Sequence, residues 1–151
     1  MRKQTILLSA ALVALSLSLT ACGGATSKAG GVADGKLAPC PDSPNCVSTQ
    51  TDPGDSYHYM DPIPFTGSPA DAQATILAAI ESMPRSKVIT TEPTYIHAEF
   101  RSALWRFVDD VEFYIDADTG QIHFRSASRL GYGDMGANRK RMNELVAKIQ
   151  N

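Results

Sequence analysis

Between Lys87 and Ser128 the hydrophobic and polar residues alternate. In "TYIHAEFRSA", Ile96, Ala98 and Phe100 fall on one side and His97, Glu99 and Arg101 on the other, the period of a half-buried strand. "DDVEFYID" repeats the pattern, with Val111, Phe113 and Ile115 set against Asp110, Glu112, Tyr114 and Asp116. "QIHFRSAS" places Ile122 and Phe124 inward and His123, Arg125 and Ala127 outward. "DADTGQ" joins the last two as a hairpin turn, with Gly120 supplying the left-handed residue. "KVITTE" is the first strand of the series. "RSALWRFVDD" has no Gly or Pro to mark a turn, so it reads either as a bulged continuous strand or as a hairpin.

On either side the period changes to that of a helix. Ser68-Pro69-Ala70-Asp71 is a helix start: serine at the N-cap, proline at the first helical position, and aspartate placed to reach back to the cap. The pattern predicts a helix from Pro69 to Met83, limited by Pro84, with Ile76, Leu77 and Ile80 inward. A last helix is predicted from about Gly136 to Ile149, with Met142, Leu145, Val146 and Ile149 as its core stripe. Helix, strands and helix in this order predict an α+β two-layer sandwich. Its antiparallel sheet has about four strands, with both helices on the apolar face. No internal repeat is visible.

The N-terminal third is organised differently. "MRKQTILLSAALVALSLSLTAC" has a basic start, Arg2 and Lys3, then an uncharged, mostly apolar run from Ile6 to Leu19. That run is short for a membrane span and has the length and flanks of a signal peptide. Leu19-Thr20-Ala21-Cys22 resembles a bacterial lipobox. The resemblance implies diacylglycerol on the Cys22 thiol, cleavage before Cys22 and a further acyl chain on the new amino group. Gly23 and Gly24 stand where an aspartate would retain an enterobacterial lipoprotein in the inner membrane, so the periplasmic face of the outer membrane is expected. Residues 1–21 are then the signal peptide, the glycine-rich residues 22–36 a flexible tether, and residues 37–151 one globular domain. Residues 37–69 hold most of the prolines and are expected to wrap that domain or to carry part of its function.

Processing moves the formal charge from −2 to −4, because only Arg2 and Lys3 are lost. An acidic balance argues against nucleic acid as the main partner.

Three blocks, "LAPCPDSPNCVST", "YIHAEFRSALWRFVDDVEFYID" and "IHFRSASRLGYGDMGANRKRMNEL", resemble domain-of-unknown-function family 1499 over roughly Leu37 to Val146. The resemblance implies a source among bacteria, where members are often lipoproteins, or photosynthetic eukaryotes. It carries no activity to this chain.

The chemistry therefore rests on the residues themselves. Cys40 and Cys46 remain once Cys22 is lipidated. An even pair in an oxidising compartment reads as a disulfide, and their spacing is neither a redox nor a zinc motif. His97, Glu99, Arg101, Asp110, Glu112, His123, Arg125 and Arg129 form a polar cluster, largely on the sheet face opposite the helices. That face is either solvated and laced with cross-strand ion pairs or a partly covered groove, with the Pro-rich segment as its wall. In the groove, Glu99 or Glu112 with His97 or His123 could act as acid and base, yet no nucleophile or metal motif points to a reaction. In "FRSASRLGYGDMGANRKR", a glycine-bearing loop leads into a helix N-terminus. There Arg129, Asn138 and Arg139 are candidates to hold an anion, unless Asp134 already fills the site as a cap. Arg125 is expected to pair internally. No metal or cofactor is expected. The sequence reads as a lipid-anchored envelope protein, a binding or structural module for an anionic small molecule, lipid headgroups or another envelope protein. The alternative is a small periplasmic hydrolase using the polar sheet face.

Overall fold

Ser68 opens the first helix as its sequence predicts: its hydroxyl accepts from the Asp71 amide while the Asp71 carboxylate accepts from the Ser68 amide. This reciprocal capping box satisfies two amides that the first helical turn leaves free. In the computed structural model, which describes residues 25–151, that helix is one of two. The elements run β1 (Val32–Ala33), β2 (Lys36–Leu37), β3 (Cys46–Ser48), β4 (Ile63–Pro64), α1 (Pro69–Glu81), β5 (Ser86–Glu92), β6 (Tyr95–Arg101), β7 (Val108–Asp116), β8 (Gln121–Ser128) and α2 (Ala137–Ile149). Cys22 and residues 1–21, expected as a signal peptide, lie outside the described residues.

The fold is α+β, and its main sheet has six strands instead of about four. The four long strands form an antiparallel meander, β8-β7-β6-β5. Beyond β8, the short strands β3 and β4 both pair antiparallel with it, at its two ends. These extra strands come from the proline-rich segment, which wraps the sheet edge and sends Met60 and Ile63 into the core. At two and three residues they are too short to show a period. "RSALWRFVDD" is a hairpin: β6 ends at Arg101, β7 starts at Val108, and Arg106 takes the positive φ that the turn needs. β1 and β2 form a separate two-stranded hairpin.

The alternation of the long strands sorts their side chains as expected. Ile96, Ala98, Phe100, Val111, Phe113, Ile115, Ile122 and Phe124 are buried together with Ile76 and Ile80 of α1 and with Met142 and Leu145 of α2. Register places Phe113 opposite Phe124, with ring centroids 6.3 Å apart. Burying each such ring stabilises the fold by about 1.5–3 kcal/mol. The other face of the sheet is left with the charged residues.

Cys40 and Cys46 form a disulfide. It closes the "PCPDSPNC" loop immediately before β3, so the covalent link and the β3–β8 pairing hold the same segment.

Candidate functional site

At its centre the polar face is buried, with His97, Asp110, Glu112 and Arg125 all shielded, and its charges there are consumed in an ion network. Register sets Glu99 of β6 directly opposite Asp110 of β7, two like charges that need a cation between them. Arg129, just after β8, supplies it. Its Nε and Nη2 fork the two Asp110 oxygens at 2.9 and 2.7 Å, and Nη2 also reaches Glu99 at 2.6 Å. One turn of the pleat further on, Glu112 stands opposite Arg125, whose Nη1 donates to Glu112 Oε2 at 3.1 Å. His97 Nε2 lies 2.7 Å from Asp110 Oδ1. Tyr95 donates its hydroxyl to Glu112 Oε1 at 2.8 Å. Arg101 meets only the outer oxygen of Glu99, at 3.2 Å.

The cover over this network is the chain's own N-terminal segment. The stretch expected to be a flexible tether lies, from Ala25 to Gly31, along the polar face. The Ser27 hydroxyl and the Lys28 amide donate to Asp110 at 2.9 and 2.7 Å. The amides of Gly30 and Gly31 both donate to Glu112 Oε1 at 3.0 Å. In return, Arg125 donates to the Lys28 carbonyl and Arg129 to the Ala25 carbonyl. The sheet holds this strap almost entirely by its backbone. Gly30 also suits its place by size, since a Cβ there would come 2.8 Å from the Ala38 Cβ. The proline-rich segment, expected as the wall of a groove over this cluster, instead forms the sheet edge and lines a separate cleft beside the strap.

These bonds set the protonation of the site. Burial works against the Asp110 carboxylate, but Arg129, His97, the Lys28 amide and Ser27 outweigh it and hold its carboxyl well below the usual carboxylate range. Burial likewise opposes Glu99, and Arg129 and Arg101 win, lowering it. Burial, with the Glu112 carboxylate beside it, pushes the Tyr95 phenol well above its usual value.

Of the polar cluster expected from alternation, the structure brings together His97, Glu99, Asp110, Glu112, Arg125 and Arg129. Arg101 is peripheral, and His123 stands apart. His123 stacks on Tyr114 with centroids 6.2 Å apart and faces the Thr49 hydroxyl at 3.1 Å. Tyr95 belongs to the cluster and has the same strand parity as His97 and Glu99, a signal present in the sequence.

The three residues expected to gather an anion do not meet. Arg129 is spent on Asp110 and Glu99. Arg139 donates to the carbonyls of Ser56, Tyr57 and Tyr59 at 3.0–3.2 Å, fastening that turn to α2. Asn138 is fully buried and donates to the Asn45 carbonyl and the Ser128 hydroxyl, while its amide oxygen accepts from Ser126. The α2 N-terminus already has its anion: Asp134 accepts from the amides of Gly136 and Asn138 at 2.9 and 2.8 Å. Arg141 is compensated by Asp109 and lies over the Phe100 ring, 5.1 Å from its centroid.

An open cleft of about 640 Å³ lies beside the strap, lined by Gly31, Lys36, Pro39, Gln50, Asp55 and His58 among others. His58 Nδ1 is 2.6 Å from Asp55, and its Nε2 faces the Ser43 carbonyl. The spacing of Asp55 and His58 gave no motif, and neither residue stood out in the sequence.

Fold and site together define a small α+β domain whose charged sheet face is closed by its own N-terminal strap. The chain belongs to the family described as protein of unknown function (DUF1499), whose model matches residues 36–149. The network residues fall inside that match, and the strap residues 25–31 precede it. No curated protein matches the chain.

Proposed function

We propose that this protein is a lipid-anchored cell-envelope binding module, held at the membrane through Cys22 and acting through the open cleft beside its strap. The observation that carries this reading is the strap itself. Three residues after Cys22 the chain is already fastened to the sheet, and the fastening occupies the charged groups a hydrolase would have used.

The hydrolase reading keeps one observation in its favour, the 2.7 Å contact of His97 with Asp110. Against it, Asp110 accepts five hydrogen bonds from Ser27, Lys28, His97 and Arg129. A carboxylate so engaged orients its partners and is a poor base. The cleft is the better candidate for a small molecule or for the loop of an envelope protein, because it is open while the ion network is closed.

Mass spectrometry of the protein extracted from membranes is expected to show a chain starting at Cys22 with acyl groups on it. Cys22→Ser should leave an unprocessed or mislocalised precursor. An unmodified thiol at Cys22, or a chain beginning elsewhere, overturns the anchoring.

A further inference from the structure

At one end of the sheet two loops lie side by side, and both present large apolar side chains to solvent. The β6–β7 loop carries Leu104, Trp105 and Phe107. The β8–α2 loop carries Leu130, Tyr132 and Met135. Leu104, Trp105 and Tyr132 are 73–78 % exposed. The loops are neighbours because Asp109 pairs with Ser128 and the Arg129 amide donates to the Val108 carbonyl. Scattered exposed apolar residues need no explanation, but a cluster of six on adjoining loops does. None of them packs into the core, and each loop holds one non-glycine residue at positive φ, Arg106 in the first and Met135 in the second, while exposing these residues.

The course of the strap says what covers them. Gly30 and Gly31 sit at Glu112, Lys28 at Asp110, and Ala25 at Arg129. The chain, followed backwards, therefore heads for the end of the sheet where these two loops project. From Ala25 to Cys22 is three residue steps, which span at most about 11 Å. A lipid on Cys22 must enter the bilayer close to that end.

We propose that loops 102–107 and 129–136 are a membrane-docking surface that seats the domain on the bilayer beside its lipid anchor. This rests on the anchoring at Cys22 proposed above and adds an orientation to it. The residue types suit the depth. Trp and Tyr favour the headgroup boundary, where an aromatic body is apolar and its polar tip is wet. Leu104, Phe107 and Leu130 supply apolar area for the acyl boundary. Arg106, at the tip between Trp105 and Phe107, can keep its charge among headgroup phosphates while its stem lies in apolar surroundings.

The chain has one tryptophan, Trp105, so the surface carries its own reporter. The test uses protein processed in its native membrane, reconstituted into phosphatidylethanolamine/phosphatidylglycerol vesicles with and without brominated acyl chains. Trp105 emission should shift to the blue, lose most of its intensity to the brominated lipid, and become resistant to iodide. Leu130→Ser/Tyr132→Ser keeps the reporter, and both positions are exposed, so thermal unfolding should be unchanged. In that variant the blue shift and the bromine quenching should be lost. Trp105 emission that stays at its aqueous position and remains open to iodide in vesicle-bound acylated protein overturns the proposal. So does a shift that appears without lipid and grows with protein concentration, since that makes the surface a contact between copies. The mass of the same preparation reports on the anchor separately. If Cys22 is bare, anchoring fails on that measurement, and the Trp105 response to added vesicles still decides the docking.

Discussion

Arg129 lies between two carboxylates, Glu99 and Asp110, that the register of β6 and β7 places directly opposite each other. Without it, two like charges would be held together away from water. Arg129→Gln is therefore expected to cost about 3–5 kcal/mol, the scale for breaking a buried ion pair from one side. Arg106→Gln, on an exposed loop, should change stability by about half a kcal/mol or less. Denaturant unfolding of the two variants checks this, and equal effects would mean that the network contributes nothing. The histidines give a second test. Burial opposes protonation of His58, but the bonds to Asp55 and to the Ser43 carbonyl outweigh it and raise its pKa above 6.5. Burial lowers that of His123. In an NMR titration His58 should therefore protonate at higher pH than His123, and Asp55→Asn should move His58 down. A raised folded value means that the His58 contribution to stability is complete below about 6.5 and is lost as pH rises through the raised value. A His58 midpoint at or below that of His123 contradicts the pairing. At this scale the sequence was a good guide to which face a residue takes, since strand parity alone placed His97, Glu99, Asp110, Glu112 and Arg125 together. Parity also put Arg129, four residues on from Arg125, on that face, although its partners are Glu99 and Asp110 and not an external anion. The sequence was a poor guide for Asn138 and Arg139. Their side chains are aimed by a loop whose path depends on Asp134, Asn45 and the turn at residues 56–59, and no local pattern encodes that.

The long elements follow from local rules. The capping box of Ser68 and Asp71 starts α1, and the period of two makes β6, β7 and β8. The elements that sequence reading missed are short and are held by distant partners. β3 and β4 exist because β8 has a free edge to pair with. The disulfide ties the entry to β3, and its small loop gives a modest effect: Cys40→Ser should lower stability by about 1–3 kcal/mol in thermal or denaturant unfolding. In the oxidised protein neither thiol should react with an alkylating agent before reductant is added. Two freely reactive thiols would contradict the bond. The strap was hidden for a different reason. "ATSKAGGVADGK" is small and polar, the composition of a linker, and the sheet grips it by backbone groups that every sequence has. One local sign was legible. Asp34 and Gly35 both take positive φ in the β1–β2 turn, and an Asp-Gly pair is a strong short-range signal for such a hairpin.

For the whole molecule, the strap changes what the N-terminal segment does. A free tether would let the domain drift from its anchor and leave the polar sheet face in water. A strap bonded through Lys28, Gly30 and Gly31 closes that face and fixes the end of the sheet toward which the chain runs back from Ala25. With the anchor proposed at Cys22, it would orient both the cleft and the exposed loops relative to the membrane. The proposed function and the docking surface both depend on that fastening. Amide hydrogen exchange of Lys28, Gly30 and Gly31 measures it most directly. The expected result is slow exchange in the native protein, with protection lost in Glu112→Gln at Gly30 and Gly31 before it is lost in the core strands. Exchange of all three amides at the rate of an unstructured peptide, with the long strands still protected, would show that the segment is a free tether and would contradict the strapped domain described above.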